Sequence, residues 1–309
     1  NEDLVTVLQN PSDKILNTKS FNSRIDLCKK CGHAFLGIRL LAHNQFKAYE
    51  NYYTHGQRGK AVAGDKFQFF SYMFKNLTSD FKKNIIKRSV LKILLRIPFI
   101  GFSLQRAIRF IGIPSQDQNL LDVGCGNGEF LHRMKILGIE AEGIDLDPTT
   151  IALCRKQGLD VHQYDLGDFN PQKKYNFITC SHVIEHIEDP ISYFRKFKEL
   201  LAPNGRVFIS TPNFNSYGRK FFKENWRGID FPRHLQYFSL ESLKSLVNDS
   251  DYKKVKFLWD RRQALKIIKN SCRISGFSRI KTILVLFIFL CIYTFVPQKC
   301  DVIVLQLIK

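Results

Sequence analysis

The segment LLDVGCGNGEF (120–130) carries an apolar stretch into three glycines, at 124, 126 and 128, and then into a helix-forming run. Glycine tolerates positive φ and puts no side chain between backbone and ligand, and the helix start behind it presents bare N–H groups. The spacing is not that of a dinucleotide turn. Counting from Gly124, Glu129 stands where the third glycine of G-x-G-x-x-G belongs, and a carboxylate there repels a pyrophosphate. The turn suits a ligand with no phosphate at that point and room for positive charge. GIDLDP sets Asp145 at the tip of the next apolar run, where an acid accepts both hydroxyls of a ribose. YDLGDF sets Asp165 at the tip of a third, suited to an adenine amino group. One such acid is no more than a helix cap; three tips converging together point to a nucleoside.

The elements that must hold these residues alternate. Strand signals at 119–124, 140–146, 161–166, 175–183 and 206–212 are separated by helical segments at 128–138, 147–158 and 189–201. The strands are nearly continuous in apolar residues, the pattern of a parallel sheet covered on both faces. Pro148 and Pro190 sit in first helical turns, and Gly138 and Gly158 follow helix ends. Beyond Pro212 comes a loop-like, aromatic-rich stretch (213–238), a helix opened by Ser239, and strand candidates at 252–259 and 301–308.

LLDVGCGNGEFL, GIDLDP, YDLGDF and FITCSHVIEHIEDP (177–190), in that order and spacing, resemble the class I S-adenosylmethionine-dependent methyltransferases over residues 117–212. HVIEHIEDP and NWRGIDFPRHLQYFSLESL (225–243) resemble a subgroup acting in surface-polysaccharide and small-molecule biosynthesis. The resemblance implies an α/β, Rossmann-like seven-stranded sheet of order 3-2-1-4-5-7-6 with helices on both faces and its last strand antiparallel. It implies S-adenosylmethionine as cofactor, with Gly124, Gly126 and Gly128 around its methionine end and Asp122 beneath the turn. Asp145 would take the ribose, Asp165 with Leu166 would frame the adenine, and Leu146 and Ser181 would be further cofactor contacts.

Methyl transfer to a hydroxyl requires an oriented nucleophile and removal of its proton. His186 is the first candidate base and His234, in FPRHLQYF, the second, because imidazole titrates near neutrality. Each has a structural alternative as a helix cap or packing hydrogen bond. Related enzymes hold a divalent metal through Glu and His at this segment. Here His182 stands where they carry an acid, leaving Glu185 and His186, so metal assistance is disfavoured. Arg227 and Arg233, beside Trp226 and Phe231, are candidates for holding an acidic or phosphorylated acceptor.

Cys28-x-x-Cys31-Gly supplies half of a tetrahedral zinc site, with His33 and His43 as further donors. Relatives with this core carry a small zinc ribbon ahead of it, so residues 1–60 are expected to form a zinc-ribbon-like segment, complete or vestigial. Residues 61–116 then form a basic helical linker, with an amphipathic stretch at 84–112, and 117–309 the cofactor domain. The remaining cysteines are scattered through the chain, unlike a secreted disulfide framework, and no leader peptide is visible. A cytoplasmic protein is expected.

The formal charge of +19 is uneven: +12 over residues 1–116, −4 over 117–212 and +11 over 213–309. That pattern, without a recognisable RNA-binding module, disfavours nucleic acid as a partner. ILVLFIFLCIYTFV (283–296), within an apolar insertion spanning 265–298, is too short to cross a bilayer, for which about 20 residues are needed. It reads equally as a helix in a membrane interface and as a buried or oligomeric contact. The expected function is O-methylation of a sugar or lipid-linked glycan at the inner membrane face. The alternatives are a quinone-like or other small-molecule acceptor, and a non-catalytic scaffold keeping the cofactor fold.

Overall fold

The computed structural model describes residues 3–15, 22–40, 48, 109, 118–248 and 252–309. Of the amphipathic stretch at 84–112, expected to be helical, only Arg109 is among them, and the donor His43 lies outside them. The chain folds as two compact units: Tyr53–Thr179 with Glu199–Phe208 and Lys309, and Asn1–Tyr52 with Cys180–Lys198 and Ile209–Ile308.

The first of these contains β4 (Asn119–Val123), α1 (Glu129–Ile136), β5 (Glu140–Asp145), α2 (Pro148–Lys156), β6 (Asp160–Gln163) and most of β7 (Tyr175–Ser181). β4 pairs parallel with β5, and β5 with β6. α2 starts because Asp147 accepts the Thr149 N–H at 2.9 Å and Pro148 fills the first turn. Leu120, Phe130, Met134, Ile139, Phe177 and Phe208 form one core of this unit; Leu131, Ile151, Cys154, Leu159 and Val161 belong to another. The third strand is shorter than its apolar pattern suggests and stops at Gln163, because Asp165 folds back to accept the Gly167 N–H at 2.8 Å.

The other unit holds β1 (Leu4–Gln9), β2 (Arg24–Cys28) and β3 (Ala34–Leu36), which with β9 (Gln236–Tyr237) make a sheet of order β1-β2-β3-β9. After β7 come a 3₁₀ turn (Ile184–His186) and α3 (Pro190–Leu200). β8 spans Leu201–Pro212, so α3 ends before the Pro-Asn-Gly turn. Two bonds from Lys309, to the carbonyls of Leu201 and Gly205, pin that stretch as strand. The 213–238 stretch is not loop-like throughout: Ser216 caps α4 (Tyr217–Phe222), and two 3₁₀ turns follow. Ser239 and Ser242 cap α5 (Leu240–Asn248) reciprocally. β10 (Lys254–Trp259), α6 (Arg261–Ile274), α7 (Arg279–Phe295) and β11 (Val302–Ile308) complete the chain. The insertion is thus a pair of helices starting at Arg261, four residues before the apolar signal. Phe222, Trp226, Ile268, Phe289 and Tyr293 belong to this unit's core.

The main sheet runs β10-β11-β8-β7-β4-β5-β6, with β10 and β11 antiparallel. Numbered within the sheet, that is the expected 3-2-1-4-5-7-6.

Candidate functional site

The glycine turn between β4 and α1 lies in the first unit. Gly124, Gly126 and Gly128 have φ of 68°, 53° and 74°, and Gly128 caps α1 from the left-handed region. A Cβ on Gly128 would stand 2.5 Å from the Leu159 side chain, so this glycine lets the turn close on its own core. A Cβ on Gly126 would meet nothing within 4 Å, and the backbone there faces open space. Asp145, at the end of β5, accepts the Gly126 N–H through Oδ2 at 2.9 Å and the Asp147 N–H through Oδ1 at 3.0 Å. One carboxylate thereby fixes the glycine turn and the start of α2.

Asp122 is wholly buried beneath the turn; Oδ1 accepts from Thr179 Oγ1 at 2.8 Å and from Arg109. Burial raises its pKa, against the opposing pull of Arg109. It braces the turn from below. Glu129 is paired with Arg133 one turn along α1, which offsets the negative charge read from the sequence. Leu146, 62% exposed, presents an apolar surface beside Asp145, and Asp165 is half-buried. The Leu166 side chain is buried, and Leu146 is the exposed leucine of the pair.

The second constellation lies in the other unit, where β7 ends at Ser181. His182 takes a left-handed φ of 56° and donates its N–H to Ser210 O at 2.8 Å, which turns the chain into the 3₁₀ segment. Glu185 is buried there. Its Oε1 lies 3.2 Å from His182 Nδ1, and its Oε2 accepts from Thr211 Oγ1 at 3.1 Å. Burial works to raise its pKa, but the His182 hydrogen bond and the three nearby histidines hold it down at about 2.

His186 Nδ1 lies 2.9 Å from Arg233 O, and His234 Nδ1 lies 2.9 Å from Gly228 O. Only a protonated Nδ1 can donate to a carbonyl, so both tautomers are set by backbone. The rings meet edge to face, centroids 4.7 Å apart, and His234 Nε2 stands 3.9 Å from Glu185 Oε1. Burial, reinforced by His186, lowers the His234 pKa to about 4. Glu185, Phe214, Trp226, His234, Gln236 and Tyr237 line a small recess.

Ligand atoms of Glu185, His186 and His234 lie within 4.8 Å of one another, so two imidazoles and a carboxylate could hold a divalent cation after a slight inward shift. The sequence had offered only Glu185 and His186 for that task. His234 joins them because the Leu235 N–H bonds to Glu185 O at 2.8 Å, docking the later loop onto the 3₁₀ turn.

Arg233 does not face an acceptor. Its guanidinium is fully buried, bonded to both Asp13 oxygens at 2.9 and 3.0 Å and to Asp230 at 2.8 Å. Arg227 is nearly buried and pairs with Asp230 at 3.1 Å. Both arginines are structural, because a charge removed from water needs fixed partners. Asp13, whose sequence context is unremarkable, was not anticipated.

Cys28 and Cys31 sit in a turn closed by Gly32 N–H to Cys28 O at 2.8 Å, and hydrogen bonds from Cys31 lower the Cys28 thiol pKa. Among the described residues no group of three or more metal donors includes them. His33 Nε2 lies 2.8 Å from Gln236 Oε1, and its ring packs on Phe238, so it is committed elsewhere.

A sheet of this order, with a glycine turn after its first strand and an acid ending the second, defines a Rossmann-like fold that binds a nucleoside-containing cofactor. Residues 100–256, just over half of the chain, match the family model described as "Methyltransferase domain", and the chain belongs to that family. The ubiquinone biosynthesis O-methyltransferase of Actinobacillus pleuropneumoniae serotype 5b (strain L20) is 33% identical over 108 residues, covering 31% of this chain and 46% of that protein. The corresponding protein of Bordetella bronchiseptica (strain ATCC BAA-588 / NCTC 13252 / RB50) is 35% identical over 107 residues, covering 32% and 44%. The chain thus spans less than half the length of these relatives. Among solved structures, a SAM-dependent methyltransferase from Archaeoglobus fulgidus aligns with TM-score 0.48 and 20% identity, covering 68% of this chain and 93% of that one. Haemonchus contortus phosphoethanolamine N-methyltransferase 2, in complex with S-adenosyl-L-methionine, aligns with TM-score 0.49 and 15% identity, covering 76% and 60%.

Proposed function

We propose that the protein is an S-adenosylmethionine-dependent O-methyltransferase acting on a phenolic, quinone-like acceptor. The observation that carries the cofactor assignment is the Asp145 carboxylate bridging Gly126 and Asp147 at the end of β5, beside backbone that faces open space. Asp145 would hold the ribose hydroxyls, Leu146 and Asp165 the adenine, and the turn from Gly124 to Gly128 the methionine end. The cofactor supplies an electrophilic methyl on a sulfonium; the chain orients the acceptor and takes its proton.

His186 is assigned as base, with His234 and Glu185 behind it. His186 is the more accessible of the two histidines, and the Arg233 carbonyl fixes its tautomer. A phenol, ionising near pH 10, demands far less of a neutral imidazole than a sugar hydroxyl, which is closer to water at 15.7. The names of the matched relatives support the phenol, as does the engagement of Arg227 and Arg233 with Asp13 and Asp230. The glycan expected from the sequence draws no comparable support. A second reading, favoured by the Glu185–His186–His234 grouping, adds a divalent cation that would polarise the acceptor oxygen.

Calorimetric titration with S-adenosylhomocysteine, with NAD as control, tests the cofactor assignment; no binding of the former would sink it. Turnover with catechol-like and sugar acceptors, before and after chelator treatment, then separates the acceptor and cation readings. Binding without turnover on any acceptor would favour a scaffold.

A further inference from the structure

We propose that α6 and α7 form a docking device for an anionic lipid bilayer, with α7 lying in the interface. α7 is apolar around nearly its whole circumference yet buries only one side. Val285, Phe289 and Tyr293, at i, i+4 and i+8, face the core. Ile280, Ile283, Leu284, Phe287, Ile288, Leu290 and Phe295 point the other way, with Phe287 67% and Phe295 83% exposed. An apolar face of this extent marks an interaction site.

The buried side fixes the helix in place. Tyr293 hydrogen-bonds the buried Asp301 just before β11, and Phe289 packs on Phe222 with centroids 6.3 Å apart. The helix therefore cannot leave the protein to cross a membrane without breaking its own core, and no helix among the described residues is long and apolar enough to cross one. It can only lie flat, with one side in the protein and the other in the acyl boundary.

Charge selects the occupant. Residues 261–300 contain eight Lys and Arg and no Asp or Glu. On α6, which packs against α7, Arg262, Lys266, Lys269 and Arg273 are exposed at i, i+4, i+7 and i+11, a single basic stripe. Arg279 and Lys281 open α7 and Lys299 follows it. A second copy of the chain would bring the same positive set against this one, whereas an anionic headgroup layer would neutralise it while the acyl boundary covers the leucines and phenylalanines.

The test is co-sedimentation of the full chain, without cofactor, with vesicles of phosphatidylcholine alone or with about a third phosphatidylglycerol. It is independent of methyl transfer. Binding to the anionic vesicles is expected to exceed binding to the neutral ones at least tenfold and to weaken with salt. The double variant Leu284→Glu/Phe287→Glu should lose at least tenfold, and Lys266→Glu/Lys269→Glu should lose the preference for anionic lipid. All four positions are exposed, so circular dichroism and thermal melting should be unchanged. Equal pelleting of the parent and Leu284→Glu/Phe287→Glu chains would overturn the proposal. So would a parent dimer in sedimentation velocity that this variant dissolves while no vesicle binds, which would assign the face to a second copy.

Discussion

Arg233 and Asp13 form a fully buried two-pronged ion pair across 220 residues of sequence, at 2.9 and 3.0 Å. The pair ties the N-terminal strands to the loop that carries His234. It also steadies the Arg233 carbonyl, which accepts from His186. Removing one member of a buried pair strands the other charge, at about 3–5 kcal/mol. Asp13→Ala should cost about 3 kcal/mol, because Asp230 still partners the guanidinium, and lower Tm by several degrees. Loss of less than about 1 kcal/mol in denaturant titration would mean the pair is not desolvated as described.

Asp145→Ala removes the acceptor for two backbone N–H groups and the proposed ribose contact together. S-adenosylhomocysteine affinity should fall at least about 100-fold, the loss of two hydrogen bonds to a carboxylate. Asp145→Asn keeps one carbonyl oxygen and should fall less. Equal affinities for parent and both variants would remove Asp145 from the cofactor site.

His186→Ala should lower kcat by about 100-fold or more with cofactor affinity unchanged, the usual size of a general-base contribution. If His186 and His234 instead hold a cation, either alanine variant should also abolish stimulation by added divalent ions. Chelator-insensitive turnover, retained in His234→Ala, would rule out the cation reading.

His234, Glu185 and Asp301 are three of the buried groups that contribute to acid stability. His234, at about 4 in the fold and 6.5 when free, resists protonation, so its stabilising share is full above pH 6.5 and lost as pH falls through 4. The share is about 3 kcal/mol. Glu185, at about 2 against 4.5, contributes above pH 4.5 and is lost as pH falls toward 2. Asp301 runs the other way: burial raises it from 3.8 to about 6, so its ionisation costs stability as pH rises from 4 to 6. Between pH 7 and 5 the shares of His234 and Asp301 oppose each other, and below pH 4, where that of Glu185 is lost as well, Tm should drop. His234→Gln lacks the opposing share, so its Tm should rise from pH 7 to pH 5; a fall would contradict the assignment.

Tyr293→Phe takes one donor from Asp301, whose carboxylate also accepts from Trp226 and Ser216. A buried acceptor left short costs about 1–3 kcal/mol. The loss should shrink below pH 6, where Asp301 becomes protonated. A loss constant from pH 7 to 5 would show that Asp301 stays ionised throughout.

The glycine turn and the acid that braces it were legible in the sequence because they are local. Gly124, Gly126 and Gly128 follow one strand directly, Asp145 ends the next, and strand–turn–helix geometry places them with no information from elsewhere. The alternation of apolar runs and helical segments indicated a parallel sheet covered on both faces, and the strand order came from the family resemblance that the motifs carry. The histidine cluster was half legible: His186 and His234 stood out as residue types, but only the backbone bond from Leu235 to Glu185 brings them to one carboxylate.

Tertiary structure alone decided the rest, since burial is a property of partners rather than of residue type. Arg233 reads as a surface charge until Asp13 is found beside it, and nothing in the sequence tells that the Leu166 side chain packs inward while that of Leu146 stays exposed. The 283–296 run has the composition of a core helix. That its outer face stays exposed follows from where Tyr293 and Asp301 fasten it, a contact that apolar periodicity cannot report.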